Sequence, residues 1–268
     1  MEKMIQSFDG TKLYMKKETD AQNRAVAVIV HGLAEHQGRY DYVAERLHEA
    51  GIGTYRFDHR GHGRSEGERT FLNDYNELLD DTNVIVDMAI AENPDLPIFV
   101  IGHSMGGFTV AGYGVKYPDK RLAGFITSGA AVAPGSTDAG NAFPEDADVH
   151  ARIENSLGSG VCSVQEVVDW YGKDPYNEMS IALGLFIQMG KGMEWLSENI
   201  HKFAYPVLML HGEKDALVNV SATFRFFEKA ASEDRQMKIY GGLFHEIFNE
   251  YCKEEVVGDV ISWINARI

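Results

Sequence analysis

Between residues 25 and 240 the chain alternates short apolar runs with amphipathic stretches long enough to be helices. The runs are Ala25–Val30, 53–57, 98–101, 122–126, 207–210 and 237–240. Their hydrophobicity is continuous rather than alternating, most clearly in Ala-Val-Ala-Val-Ile-Val at 25–30, which suits strands buried on both faces of a parallel sheet. Between the runs, Val43, Leu47 and Ala50 share one helical face that stops at Gly51. A longer helix is predicted from Tyr75, Leu78, Leu79, Ile85, Val86 and Ala89, with Asn73 as its cap, and a last one from Val256, Val257, Val260, Ile261 and Ile264. Strand–helix alternation of this kind predicts an α/β fold: a mostly parallel sheet covered by helices on both faces.

Two alternating segments, 4–8 and 12–17, flank the turn pair Asp9-Gly10 and predict an antiparallel hairpin before the first parallel strand. From 129 to 201 the rhythm breaks. A Gly-, Ser-, Asp- and Ala-rich stretch (134–160) precedes two apolar or amphipathic helical segments, 164–170 and 181–195. Such an insertion reads as a helical cap over a core formed by 1–128 and 202–268. In the second segment Leu183, Leu185 and Phe186 are expected to line a pocket or rest on lipid.

Charge narrows the function classes. Asp and Glu outnumber Lys and Arg by 40 to 25, a formal net charge of −15, the opposite of what a phosphate-binding surface requires. It also disfavours anchoring to anionic membranes. No apolar stretch approaches the ~20 residues that span a bilayer, and residues 1–6 carry no signal-peptide core, so a cytoplasmic location is expected. Cys162 and Cys252 are too few for a disulfide framework or a zinc site and read as reduced thiols.

The motif G-x-S-x-G, the nucleophile elbow of α/β-hydrolases, occurs twice, around Ser65 and around Ser104. Its setting separates the two. Ser104 follows the run 98–101 and leads directly into a helical segment, as a strand–turn–helix elbow must. Ser65 lies several residues past its strand, in the loop 58–67, and reads as a loop residue. A serine hydroxyl needs a general base and a group that orients the base, arriving on later strands in the order Ser, Asp or Glu, His. After 207–210 comes His211-Gly-Glu-Lys-Asp215, where reach favours Asp215 over Glu213. After 237–240 comes Gly241-Gly-Leu-Phe-His245, making His245 the base. His31, His36, His59, His62 and His103 precede the acid and read as hydrogen-bonded loop structure. A metal centre on His31, His59 and His62 would lack carboxylates beyond Asp58, so neither metal nor cofactor is expected. The oxyanion hole is assigned to the backbone N–H of Met105, after the nucleophile, and of Leu33, in the loop after Ala25–Val30.

Taken together, His31-Gly-Leu-Ala-Glu-His-Gln-Gly-Arg-Tyr40, Asp58-His-Arg-Gly-His-Gly-Arg-Ser-Glu-Gly-Glu-Arg69, Gly102-His-Ser-Met-Gly-Gly107 and Asp174-Pro175 resemble the monoacylglycerol lipase and lysophospholipase-like branch of the α/β-hydrolases over nearly the whole chain. The resemblance implies the triad Ser104, Asp215 and His245, the donors Leu33 and Met105, and a lid over an acyl pocket with Glu35 and Arg39 at its polar end. It departs at Phe248, where animal members often carry a second histidine. The expected activity is hydrolysis of monoacylglycerols or similar single-chain esters. Two other readings fit the sequence: a carboxylesterase for short acyl or hydroxycinnamate esters, and a non-catalytic receptor for a small apolar ligand.

Overall fold

The apolar runs become the strands of one sheet. The computed structural model describes residues 1–137, 143–144 and 146–268, so part of the expected cap (138–142 and 145) lies outside the described residues. In chain order the elements are β1 (Glu2–Gln6), β2 (Lys12–Glu18), β3 (Ala25–Val30), α1 (Asp41–Glu49), β4 (Ile52–Phe57), α2 (Asn76–Glu92), β5 (Ile98–His103), α3 (Met105–Lys116) and β6 (Gly124–Ser128). They continue with β7 (Arg152–Glu154), α4 (Gln165–Tyr171), β8 (Ser180–Ala182), α5 (Leu183–Asn199), β9 (Val207–Gly212), α6 (Ser221–Lys229), β10 (Arg235–Tyr240) and α7 (Lys253–Asn265).

The eight-stranded sheet runs β1-β2-β4-β3-β5-β6-β9-β10. The β1–β2 hairpin attaches antiparallel to β4, and every other pairing is parallel. Along β3 the pleat sorts side chains between two cores. Val26, Val28 and Val30 join the core that includes Phe108 and Val110 of α3 and Leu78 and Ile85 of α2. Ala25, Ala27 and Ile29 join the opposite core, with Leu47 of α1 and Val256, Val260 and Trp263 of α7. Burial on both faces is why β3, β5 and β9 lack polar alternation, whereas β10, at the sheet edge, is only partly buried and carries Arg235, Gln236 and Lys238. Each large side chain removed from water here contributes about 2–3 kcal/mol. α3 is buried from Met105 to Val115, so it is apolar all round rather than striped.

Some local expectations are corrected. Asn73 does not cap α2; Asp74 accepts from the Asn76 N–H (2.8 Å), while Asn73 bonds to Glu77. The segment 129–201 contains a strand pair, β7 with β8, that its composition concealed. The helix α6, unseen in the sequence, is short and buries Ala222, Thr223 and Phe226. In α5, Leu185 packs into the main core, and Phe186 and Met189, with Ile181 before the helix, line the cavity described below. Leu183 is buried without lining it. Among the described residues no helix is long and apolar enough to cross a membrane. Both cysteines are unpaired.

The histidines of the loops after β3 and β4 form a buried cluster. His31 and His59 have ring centroids 4.5 Å apart, and His62 meets His31 edge-to-face at 5.5 Å. Burial keeps the rings neutral, pushing His59 down to about 3, His62 to about 4, and His31 well below the ordinary value of 6.5. Below pH 6.5 the unfolded chain therefore binds protons that the folded chain refuses. Each of these histidines removes up to about 1.4 kcal/mol of stability per pH unit until its folded value is reached. Tm is expected to fall steadily between pH 6.5 and 4. A Tm unchanged between pH 7 and 5 would contradict burial of these rings in the neutral form.

Candidate active site

The strand-to-helix turn at Ser104 combines strain with close packing. Ser104 has φ 56° and ψ −118°, a region that costs a non-glycine residue about 1–3 kcal/mol. The surroundings hold it there: its N–H donates to the Ser128 carbonyl (2.9 Å), and its carbonyl accepts from the Phe108 N–H (3.0 Å). Gly106 is required by approach, because a Cβ there would lie 2.1 Å from the Val30 carbonyl oxygen. Met105 is the first residue of α3, so its N–H has no intrahelical acceptor. The other motif serine, Ser65, is consumed structurally. Its hydroxyl donates to the Asp58 carbonyl (2.6 Å) and accepts from the Tyr14 N–H (2.9 Å).

Asp215 and His245 stand on the loops after β9 and β10. The imidazole Nδ1–H of His245 donates to Asp215 Oδ2 at 2.6 Å, leaving Nε2 as the nitrogen with a free lone pair. The loops meet closely because Gly212 ends β9; a Cβ there would lie 2.0 Å from the Phe244 carbonyl oxygen. Glu213 turns away, exposed, and accepts from the Gly242 N–H (2.9 Å). The Asp215 side chain is fully buried and its other oxygen accepts from the N–H groups of Leu217 and Val218, both at 2.9 Å. Burial disfavours its charge, but His245, His211 and the Val218 N–H prevail and hold it far below the usual carboxylate range. Conversely, burial works to discharge His245, and Asp215 overrides it and raises its basicity.

Two contributors were not singled out from the sequence. His211 lies behind Asp215, with Nε2 3.0 Å from Oδ2 and 2.9 Å from the Val218 carbonyl, while Nδ1 accepts from the Thr223 hydroxyl (2.7 Å). Its signal was a polar residue directly after the apolar run 207–210 and directly before Gly212. Glu246, directly after His245, is buried and forms a two-pronged ion pair with Arg39 (2.5 and 2.7 Å). A carboxylate beside the base was legible, but its partner, far away in sequence, was not.

The loop after β3 completes the site. Ala34 has φ 60°, and the Gly32 N–H donates to Glu35 Oε1 at 2.5 Å, which also accepts from the Tyr40 hydroxyl (2.7 Å). His31 Nδ1–H donates to the Gly32 carbonyl (2.7 Å), and His59 bonds to His31 through both its backbone N–H and its ring. These contacts set the backbone around Leu33. Among the described residues no group of three or more His, Cys, Asp or Glu side chains is arranged to hold a metal ion. Phe248 lies in the core beside Ile247 and does not reach the site.

Ser104, His245, Asp215, Leu33 and Met105 all border one cavity of about 540 Å³. Glu35 and Glu246 make one part of its wall polar, and Leu157, Val161, Ile181, Phe186, Met189 and Leu217 make another part apolar. His103 packs against His245, ring centroids 4.6 Å apart, with Nδ1 3.1 Å from the Ser128 carbonyl. Burial, and then the neighbouring His245, push His103 down to about 3, so it stays neutral.

A mostly parallel eight-stranded sheet, helices on both faces and a strained serine at a strand-to-helix turn define an α/β-hydrolase. Residues 21–251 match the hydrolase family described as serine aminopeptidase, S33. The chain is 38% identical to a monoacylglycerol lipase of Mycolicibacterium smegmatis, covering 93% of this chain and 91% of that one. It is 30% identical to human monoglyceride lipase, over 91% and 83% of the two chains. The crystal structure of the Paleococcus ferrophilus monoacylglycerol lipase superimposes with a TM-score of 0.83 at 29% identity, covering 96% of this chain and 99% of that one. The chain belongs to this family of serine hydrolases.

Proposed function

We propose that this chain hydrolyses monoacylglycerols or similar single-chain carboxylic esters through an acyl-enzyme on Ser104. The observation that carries the reading is the single cavity bordered by Ser104, His245 and both oxyanion donors, apolar on one wall and polar on another. His245 Nε2 takes the hydroxyl proton as Ser104 Oγ attacks the ester carbonyl. The N–H groups of Leu33 and Met105 bind the oxyanion, and Asp215 stabilises the imidazolium. The imidazolium then protonates the departing alcohol, and water repeats the cycle to release the carboxylic acid. Relatives named as monoacylglycerol and monoglyceride lipases support the substrate class. The segment 129–201 acts as the cap, supplying the acyl wall, and the enzyme works in the cytoplasm.

The test is a panel of monoacylglycerols, lysophospholipids and aryl esters of graded acyl length, assayed alongside fluorophosphonate labelling. Hydrolysis strongest on monoacylglycerols, with labelling at Ser104, is the expected result. Preference for short acyl or hydroxycinnamate esters would move the reading to a carboxylesterase, and no labelling would move it to a receptor. Because Ile181, Phe186 and Met189 face the cavity, cutting all three to Ala should lower long-chain kcat/KM by about tenfold or more while acetate esters lose little. Equal losses on both would count against an acyl wall at these residues.

A further inference from the structure

The ion pair between Glu246 and Arg39 connects two loops that the proposed chemistry requires in register. Arg39 Nη1 and Nη2 donate to Glu246 Oε1 and Oε2 at 2.5 and 2.7 Å, and Nη1 also donates to Glu35 Oε2 at 2.9 Å. Glu35 in turn holds the Gly32 N–H, one residue before Leu33. On the other side Glu246 adjoins His245 in the chain. Its backbone N–H donates to the Val161 carbonyl (2.7 Å), and Asn249 Nδ2 donates to its Oε2 (2.9 Å). Arg39 also lies over the Tyr171 ring, 5.0 Å from its centre. The three ion-pair side chains are almost fully buried, at 7% exposure or less.

We propose that Glu246 is a positioning residue for ester hydrolysis: through Arg39 and Glu35 it fixes the base loop against the oxyanion loop, and its carboxylate supports the imidazolium formed on His245. The proposal rests on the reading of Ser104 and His245 as nucleophile and base. Two carboxylates share one guanidinium, so the cluster retains negative charge where both are ionised. Burial opposes both charges. For Glu246 the Arg39 guanidinium overrules burial and holds the carboxyl below its ordinary range, whereas burial prevails at Glu35 and pushes it up. Of the two carboxylates, Glu246 therefore keeps its charge to the lower pH. The groups around His245 are Asp215 from the loop after β9, neutral His103 from the end of β5, Glu35 with Arg39 from the loop after β3, and Glu246 on its own loop. Asp215 orients the ring directly; Glu246 acts from the side of the oxyanion loop.

The experiment compares Glu246→Gln and Glu246→Asp with the wild type, with kcat expressed per site titrated by a fluorophosphonate so that unfolded protein does not count. Glu246→Gln should lower kcat about tenfold with KM within about twofold, because the loss falls on alignment in the transition state. Removing a negative charge beside His245 lowers its basicity, so the acidic limb of kcat/KM should move to lower pH by about 0.5–1. Glu246→Asp keeps the charge: its acidic limb should stay near wild type and part of kcat should return. Wild-type kcat per titrated site and an unmoved pH profile in Glu246→Gln would overturn the proposal, leaving the ion pair as a purely structural tie. If Glu246→Gln yields no folded protein, Arg39→Lys takes its place. It keeps the charge and loses the two-pronged bond, so kcat should fall without a shift of the acidic limb, and full kcat would be the refuting result. A wild type that neither labels at Ser104 nor hydrolyses esters would instead defeat the underlying reading.

Discussion

Ser104→Ala is expected to lower ester turnover by on the order of a million-fold, the loss seen when the nucleophile of a serine triad is removed. The remaining machinery cannot substitute for it. His245 would have only water to activate, and the oxyanion donors would stabilise an attack with no oriented nucleophile. The fold should persist, since the backbone bonds from the Ser104 N–H and carbonyl do not involve the hydroxyl. Alanine tolerates the φ of 56° about as poorly as serine does, so the substitution adds little strain. Mass increase on fluorophosphonate treatment should vanish in this variant. Retention of more than a few per cent of activity in purified protein would show that another group attacks the ester, and the second motif serine gives no ready substitute. Ser65 already donates to Asp58 and accepts from Tyr14.

Asp215→Asn should cost about ten-thousand-fold in kcat while leaving Ser104 in place. Oδ1 accepts two backbone N–H groups, from Leu217 and Val218, so an amide oxygen would settle there and its NH2 would occupy the position of Oδ2. That NH2 would face His245 Nδ1 and the His211 Nε2–H. Against His245 it stabilises the wrong tautomer, with the proton on Nε2 and no lone pair for the serine. Against His211 it opposes donor to donor. The two variants separate in one assay: Asp215→Asn should still label with a fluorophosphonate, slowly, whereas Ser104→Ala should not label at all. Near-normal kcat in Asp215→Asn would refute its role as the group that orients the base.

The contrast between these residues and Glu246 shows which kinds of information lay in the chain order. Ser104 was legible because an elbow is local: an apolar run, small residues two places either side and an immediate helix fall within about fifteen positions. Asp215 and His245 were legible as residues following strands, and Glu213 competed because both carboxylates share one loop. In three dimensions the two part: Glu213 turns to the Gly242 N–H and Asp215 is buried against His245. The His211 contact behind Asp215 needs α6, which carries Thr223 and left no clear trace in the pattern. Pairing of Arg39 with Glu246 depends on two loops of the same sheet edge folding toward each other. No local preference encodes such a meeting.

Burial on both faces of the sheet is written directly in composition along the chain, because a strand covered on both sides must be apolar at successive positions. The number of parallel strands, the hairpin before them and the elbow were therefore determined by sequence alone. Which face of an apolar helix meets which neighbour was not: Leu183, Leu185, Phe186 and Met189 are all apolar, yet Phe186 and Met189 reach the cavity while Leu185 fills the core. Hydrophobicity states that a side chain leaves water, without stating where it goes. Charged residues behave similarly, since a buried carboxylate requires a partner but the partner's position depends on the folded path. Tertiary structure alone decided that Glu246, beside His245, would find Arg39, beyond the loop after β3.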